Sequence, residues 1–509
     1  MSSKTVLVTG ATGYVGGRLI PMLLAQGYRV RATARSMDKL RGKSWASHPE
    51  VELVQADLQI PETLKNMIHG CFAAYYLIHS MNPEYTDFVR ADRKASNNFV
   101  AAAATSGLQR IIYLGGLGSD SKILSRHLKS RTVVGEILKS GPIPVTILRA
   151  AHILGSGSSS FEILRYLAER LPIIVIPASI AYTRIQPICI RNVLYYLTGC
   201  LEKNETIGKT FDIGGPDILS YRELFKLYSK EAGVKKPLFI APYLLHFSKL
   251  GMKMGIFIAK LFLPIPPSIA EPLLEGARNQ VTTEDDRIRE IIPQELISCR
   301  NAIRRAIQKD SLQIVETRWT DAGELKPPEW AQADDAPYAG GTLLQGGFRI
   351  VLDASPEKIW PVISRLGGQT GWYYGDFLWQ LRGWMDNMAG GVGLRRGRRH
   401  PEELLVGDTL DFWRVLDVSP PNRLILVAEM KLPGEAILEI GLTQPKHGRT
   451  ELRLGTRFRP KGLYGQVYWY VLLPFHNLLF GGMLREMARM AGRTIIKGPV
   501  KYRPGPISI

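Results

Sequence analysis

Apolar and polar positions follow one rhythm in the first three hundred residues and another after about residue 340. Near the start, Val6-Leu7-Val8 is a short apolar run of the kind shown by a strand buried on both faces. Past glycines at 10, 13 and 16, Leu19, Leu23 and Leu24 recur at helical spacing, which predicts a helix over Tyr14 to Gln26. Further strands are predicted at Tyr28 to Ala34, Val51 to Leu58, Ala73 to Ser80, Arg110 to Leu117 and Val145 to Arg149, with an alanine-rich helix around Ala95 to Thr105. Strand alternating with helix implies a parallel, doubly wound α/β sheet whose ligand lies at the carboxyl ends of the strands.

The later rhythm has period two. Leu424, Leu426, Ala428 and Met430 alternate with another face, and Leu452, Leu454, Thr456 and Phe458 alternate with Arg453, Arg457 and Arg459, as half-buried antiparallel strands do. Phe348 to Leu352 reads as a strand, Ser355-Pro356 as the cap and first position of a helix, and Leu463 to Ala491 as a long apolar helix. Between the two regimes, Lys326-Pro327-Pro328-Glu329 and Asp334 to Gly341 are rich in proline, glycine and acids and read as a linker. The expected division is a nucleotide-binding domain over 1–235, a helical substrate-side extension over 236–310, a linker over 311–341 and an α+β domain over 342–509.

One segment suggests a membrane. At ~100° per residue, Lys249, Lys253 and Lys260 fall on one stripe of an otherwise apolar helix between Ala241 and Pro264, which suits a helix lying in a lipid interface or one packed on the protein with its lysines wet. The formal net charge of +19 over 509 residues favours an anionic surface or cofactor, and no nucleic-acid-binding motif accompanies it. Cys71, Cys189, Cys200 and Cys299 lack metal or disulfide spacing, and the N-terminus has no apolar leader. The expected place is the cytoplasm, peripheral to the inner face of the membrane; the oligomeric state is not legible.

The glycines carry the chemistry. Gly10 allows the turn off the first strand, Gly13 lets a pyrophosphate approach, and Gly16 lets the helix pack close. Thr9 to Gly16 resembles the opening of the short-chain dehydrogenase/reductase superfamily, and Asp57-Leu58 resembles the pair that this family lays against adenine. Phe211 to Pro216 resembles the late segment of its extended and atypical branches. The resemblance covers roughly the first three hundred residues and implies a Rossmann domain, with Gly10, Thr12, Gly13, Tyr14, Val15, Gly16, Arg35, Asp57, Leu58 and Leu77 as cofactor contacts. Strand, helix, antiparallel sheet and final helix resemble the helix-grip architecture of the START and polyketide-cyclase group. Trp372-Tyr373-Tyr374, Arg395 to Arg399 and Asp411 to Val415 resemble the uncharacterised C-terminal domain of bacterial reductase-like proteins.

Arg35, where an acid would bind the ribose diol of NAD, suits a 2′-phosphate, so NADP(H) is expected over NAD(H). The tyrosine and lysine of the family's catalytic pair are replaced by His127 and Arg131, which become the candidate acid and its orienting partner. Two functions therefore remain open. One is an NADPH-dependent oxidoreductase acting on an apolar or lipid-like molecule. The other is a nucleotide-binding protein without turnover, similar to NmrA-like regulators or to the accessory subunit of respiratory complex I. In the second domain, Arg395, Arg396, Arg398 and Arg399 read as a solvated loop or a phosphate site. Leu426, Ala428, Leu452, Leu454 and Phe458 are expected either to wall a cavity with Trp469, Leu472 and Leu473 or to fill a core with them.

Overall fold

The computed structural model describes residues 4–78, 87–118, 125–171, 173–241, 275–312, 314–322, 328, 342–388, 391–393, 398–446 and 448–505. The chain forms two units, Met1–Glu324 and Leu325–Ile509.

The first unit is built on seven parallel strands. β1 is Thr5–Thr9, β2 Arg29–Ala34, β3 Val51–Gln55, β4 Ala73–Tyr76, β5 Arg110–Gly116 and β6 Val145–Ala150. A last strand, Thr210–Ile213, pairs with β6, and the order across the sheet is Thr210–Ile213, β6, β5, β4, β1, β2, β3. The apolar run in β1 is continuous because both its faces are covered: Val6 and Val8 join one core and Leu7 joins the other. The chain runs outward from β1 through β2 to β3, then returns to β4 and runs the other way. The crevice of a doubly wound sheet therefore opens at the carboxyl ends of β1 and β4.

Local chemistry sets the element ends. β3 stops at Gln55 rather than Leu58 because Asp57 turns the chain, its Oδ1 accepting from the Gln59 amide at 2.9 Å. The alanine-rich helix starts at Phe88, where the Asp87 side chain accepts from the Arg90 amide, and ends at Ala103. The expected lysine-striped helix, with Lys249, Lys253 and Lys260, lies outside the described residues, as do Ser80, Arg395 and Arg396. Residues 314–322, within the expected linker, pack on the first unit: Thr317 bonds Arg18, and the Trp319 amide donates to Gly157 O at 2.9 Å.

The second unit is a seven-stranded antiparallel sheet. Its order is Thr409–Leu410, Trp413–Ser419, Arg423–Ala428, Gly434–Lys446, Arg449–Pro460, Leu344–Leu352, Ile495–Tyr502. The long helix, Gly462–Met490, packs on it with its second half: Leu479, Met483, Leu484 and Met487 share one core with Leu426, Leu452 and Leu454. Phe458 stacks on Trp469, at 5.8 Å between centroids and 6° between planes, and Ala428 and Leu473 pack against the same small cluster. Arg398 and Arg399, the described part of the basic run, depart from expectation. Arg398 is buried, donating to Leu366 O at 2.7 Å and to the carbonyls of Ser364 and His400, while Arg399 pairs with Asp408 at 2.9 Å. These two arginines tie loops together by satisfying buried carbonyls and a carboxylate, so they belong neither to a solvated face nor to an open phosphate site.

Candidate functional site

The site assembles at the carboxyl ends of β1 to β4. Gly10 leaves β1 with φ at +68°, a conformation that favours glycine, and its carbonyl accepts from the Gly13 amide at 2.9 Å. A Cβ on Gly13 would stand 3.1 Å from that carbonyl, and one on Gly16 would press directly into it. The loop Gly10–Gly16 thus closes on itself, and the helix α1, Gly16–Ala25, begins where it ends. Thr9 fastens it to β4: its hydroxyl donates to Tyr75 O at 3.0 Å and accepts from the Leu77 amide at 3.1 Å. Thr12 is buried; Val15 and Leu77 are half-buried.

Tyr14 is half-buried. Its hydroxyl is buried against Gly155, and burial pushes its pKa well above the ordinary phenol value. The Arg18 guanidinium lies 4.6 Å from the Tyr14 ring centroid. Arg18 is itself buried, donating to Thr317 Oγ1 and Ser156 O at 2.8 Å each. Thr317 in turn donates to the Tyr14 carbonyl at 2.9 Å, and its methyl sits 2.7 Å from where a Gly17 Cβ would be. The polar stretch 316–321 therefore braces the glycine loop from behind. It continues to the short helix Met37–Arg41, where Lys39 Nζ donates to Asp321 O at 3.2 Å, and to Lys43 just past that helix, which pairs with the Asp321 carboxylate at 3.3 Å.

Arg35 follows the last residue of β2, half-buried, with its carbonyl held by Gln55 Nε2 at 2.8 Å. Asp57 and Leu58 follow β3, and Asn98 Nδ2 fixes the Leu58 carbonyl at 2.8 Å. The glycine loop, Leu77, Arg35 and Asp57-Leu58 thus all stand at one edge of the sheet. His127 and Arg131 lie one turn apart at the start of the helix Arg126–Lys139, capped by Ser125. The Tyr113 hydroxyl donates to the Arg131 carbonyl at 3.1 Å, which anchors this helix to β5.

A polar pair was not foreseen in the pattern. Just past β6, His152 Nε2 lies 2.8 Å from the Tyr221 hydroxyl, and the rings meet edge to face with centroids 5.5 Å apart. Burial pulls His152 down to about 4 and raises Tyr221, so both are neutral near pH 7. On β6, Arg149 Nε pairs with Asp212 Oδ1 of the neighbouring strand at 2.7 Å. The signal available was position alone: the first residues after a strand, on the ligand edge of the sheet.

Several known proteins resemble the chain. Cinnamoyl-CoA reductase 1 of Petunia hybrida is 28% identical over 147 residues, 28% of this chain and 43% of that protein. A noscapine synthase of Papaver somniferum is 39% identical over 182 residues, 33% of this chain and 51% of that protein. The chain thus spans about half the length, or less, of these two relatives. The photosystem II assembly factor Ycf39 of Guillardia theta is 24% identical over 293 residues, 55% of this chain and 86% of that protein. Among solved structures, the triphenylmethane reductase of Citrobacter sp. complexed with NADP(H) shares 20% identity at a TM-score of 0.48, covering 59% of this chain and 99% of that one. Residues 338–483 match a family of unknown function, DUF2867. The glycine loop and its sheet lie in residues 2–262, which match the NmrA-like family, and to that family the chain belongs.

Proposed function

We propose that the first unit binds NADP(H) and reduces an apolar carbonyl or related acceptor. The observation that carries this reading is the closed Gly10–Gly16 loop at the start of α1, with Arg35 at the end of the neighbouring strand. Gly13 leaves room for a pyrophosphate against backbone, and the amide end of α1 favours its charge. Arg35 would hold the 2′-phosphate, where its fork suits the oxygens and an acid would repel them. Asp57, Leu58 and Leu77 would border the adenine and the inner part of the cofactor. When bound, the nucleotide supplies a hydride; His127 would give the proton to the substrate oxygen, with Arg131 orienting that oxygen.

A second reading is favoured by the replacement of the family's tyrosine and lysine by His127 and Arg131: a protein that binds the nucleotide without turning it over, as an assembly or regulatory factor. The photosystem II assembly factors among the relatives fit that reading. The antiparallel sheet with its long helix suits a helix-grip domain that holds a lipophile, which either reading can use. Titrating NADPH and NADH against wild type and Arg35→Ala tests the cofactor: NADPH should bind tighter, and the variant should lose at least roughly tenfold in NADPH affinity alone. Equal affinities in wild type remove the assignment. Loading with NADPH and adding quinones, enones and aldehydes separates the functions, since cofactor that no acceptor oxidises supports the second reading.

A further inference from the structure

Two helices of the second unit carry apolar faces exposed to solvent. Along Asp376–Met388, Phe377, Leu381, Trp384, Met385 and Met388 recur at spacings of four, three, one and three, which places them on one face. Phe377 is 73% exposed and Trp384 60%. Along the first half of Gly462–Met490, Leu463, Val467, Tyr470, Val471, Phe475 and Leu478 do the same, with Leu463 77% exposed. The helices are neighbours. Tyr468 faces Arg382 across them, and a Cβ on Gly375, just before the first helix, would lie 2.5 Å from Leu479 of the second.

The long helix is apolar and long enough to cross a bilayer, yet its second half is committed elsewhere. Phe480, Met483, Leu484 and Met487 are buried in the core against the sheet, so the helix cannot pass through a membrane while the unit is folded. Its first half can only lie along one. From Gly462 to Leu484 there is no Asp, Glu, Lys or Arg; exposed Lys461 precedes this stretch and exposed Arg485 follows it, while Arg489 further on pairs with Glu486 at 2.7 Å. An aromatic and aliphatic face with Lys461 at one end and Arg485 at the other, and no charge between them, is the composition of a helix seated in a lipid interface. The charge of +19 complements anionic headgroups and opposes covering the face with a second copy of the same chain.

We propose that this two-helix face docks the protein onto anionic lipid bilayers, with Trp384, Tyr470 and Phe475 in the headgroup layer. The site is distinct from the lysine-striped segment 241–264 and stands whichever function the first unit has. The test is flotation of the full chain with phosphatidylglycerol/phosphatidylcholine vesicles and with phosphatidylcholine alone. Wild type should float with the anionic vesicles and roughly tenfold less with neutral ones or in high salt. Val467→Asp/Val471→Asp should remain at the bottom while melting at the wild-type temperature, and Ile173→Asp, on the first unit, should float normally.

Tyr470→Cys carrying an environment-sensitive dye gives a second readout, because the four native cysteines are buried and leave position 470 to react. Its emission should shift to the blue on adding anionic vesicles, which decides the matter even if the aspartate variant does not fold. The proposal is overturned if wild type ignores anionic vesicles at low salt, if the folded aspartate variant floats like wild type, or if the dye does not respond. It is equally overturned if wild type elutes as a dimer, the variant as a monomer, and neither floats, since a second copy then covers the face.

Discussion

The Gly10 carbonyl limits what the cofactor loop can tolerate. Gly16 faces it so closely that an alanine there must move backbone rather than a flexible side chain. Gly16→Ala should cost about 1–3 kcal/mol of stability and weaken NADPH binding by more than roughly tenfold, measured by chemical denaturation and titration. His152 makes a different prediction, through pH. Its pKa falls from an ordinary 6.5 to about 4 in the folded protein, so between these values the unfolded chain binds the extra proton. Stability is therefore fully present above about pH 6.5 and declines as pH falls toward 4, by on the order of 2–3 kcal/mol for this residue. His476, also lowered to about 4 by burial, adds a loss of the same sign in the second unit. In His152→Gln the acid-side loss in the first unit should shrink, read as a flatter melting temperature between pH 6.5 and 4.5; an unchanged slope would sink this account.

At the scale of elements, the brace over residues 316–321 is what the pattern of the chain could not reveal. Arg18 lies in the first turn of α1 beside apolar Leu19 and Ile20, yet it is buried, because Thr317, nearly three hundred residues away in the chain, and the Ser156 carbonyl satisfy it. Glu316, Thr317 and Arg318 are polar and aperiodic, so nothing in the spacing announces that they pack. Arg398 was hidden for the same reason: a basic run looks solvated until three or more carbonyls are found around one guanidinium. The β1 run and the alternation of Leu452 and Leu454 with Arg453 were legible because burial of a regular element leaves a period, whereas Arg457, expected on the other, wet face, is buried because Glu439 and the Gly505 carbonyl satisfy it. Arg18→Ala should therefore behave as loss of a buried cation with its partners left unpaired, destabilising by about 3 kcal/mol. Thr317→Val, which keeps the shape, should cost about 1 kcal/mol. Both should also weaken NADPH binding, since each loosens the loop from behind; unchanged affinity in a folded Arg18→Ala would show that the brace serves stability alone.

Across the whole molecule, the two units have separate cores, one on each face of the parallel sheet in the first unit and another around the antiparallel sheet in the second. A ligand that binds one folded unit stabilises that unit by mass action, by about 2.7 kcal/mol at a hundredfold excess over Kd. Calorimetry of the full chain should show two transitions, of which NADPH raises one. The position of the boundary then becomes testable, because the composition of the chain places it at 311 and the packing places it after Glu324. The difference is the brace: a chain ending at Ser311 lacks Glu316, Thr317 and Asp321 and leaves Arg18, Lys39 and Lys43 without those partners, while one ending at Glu324 retains all three. The longer fragment should melt within a few degrees of the corresponding transition in the full chain and bind NADPH with similar affinity. The shorter should melt lower by the equivalent of about 3 kcal/mol or more, or fail to fold. Equal melting of the two fragments would mean that residues 312–324 are a linker in energy as well as in composition.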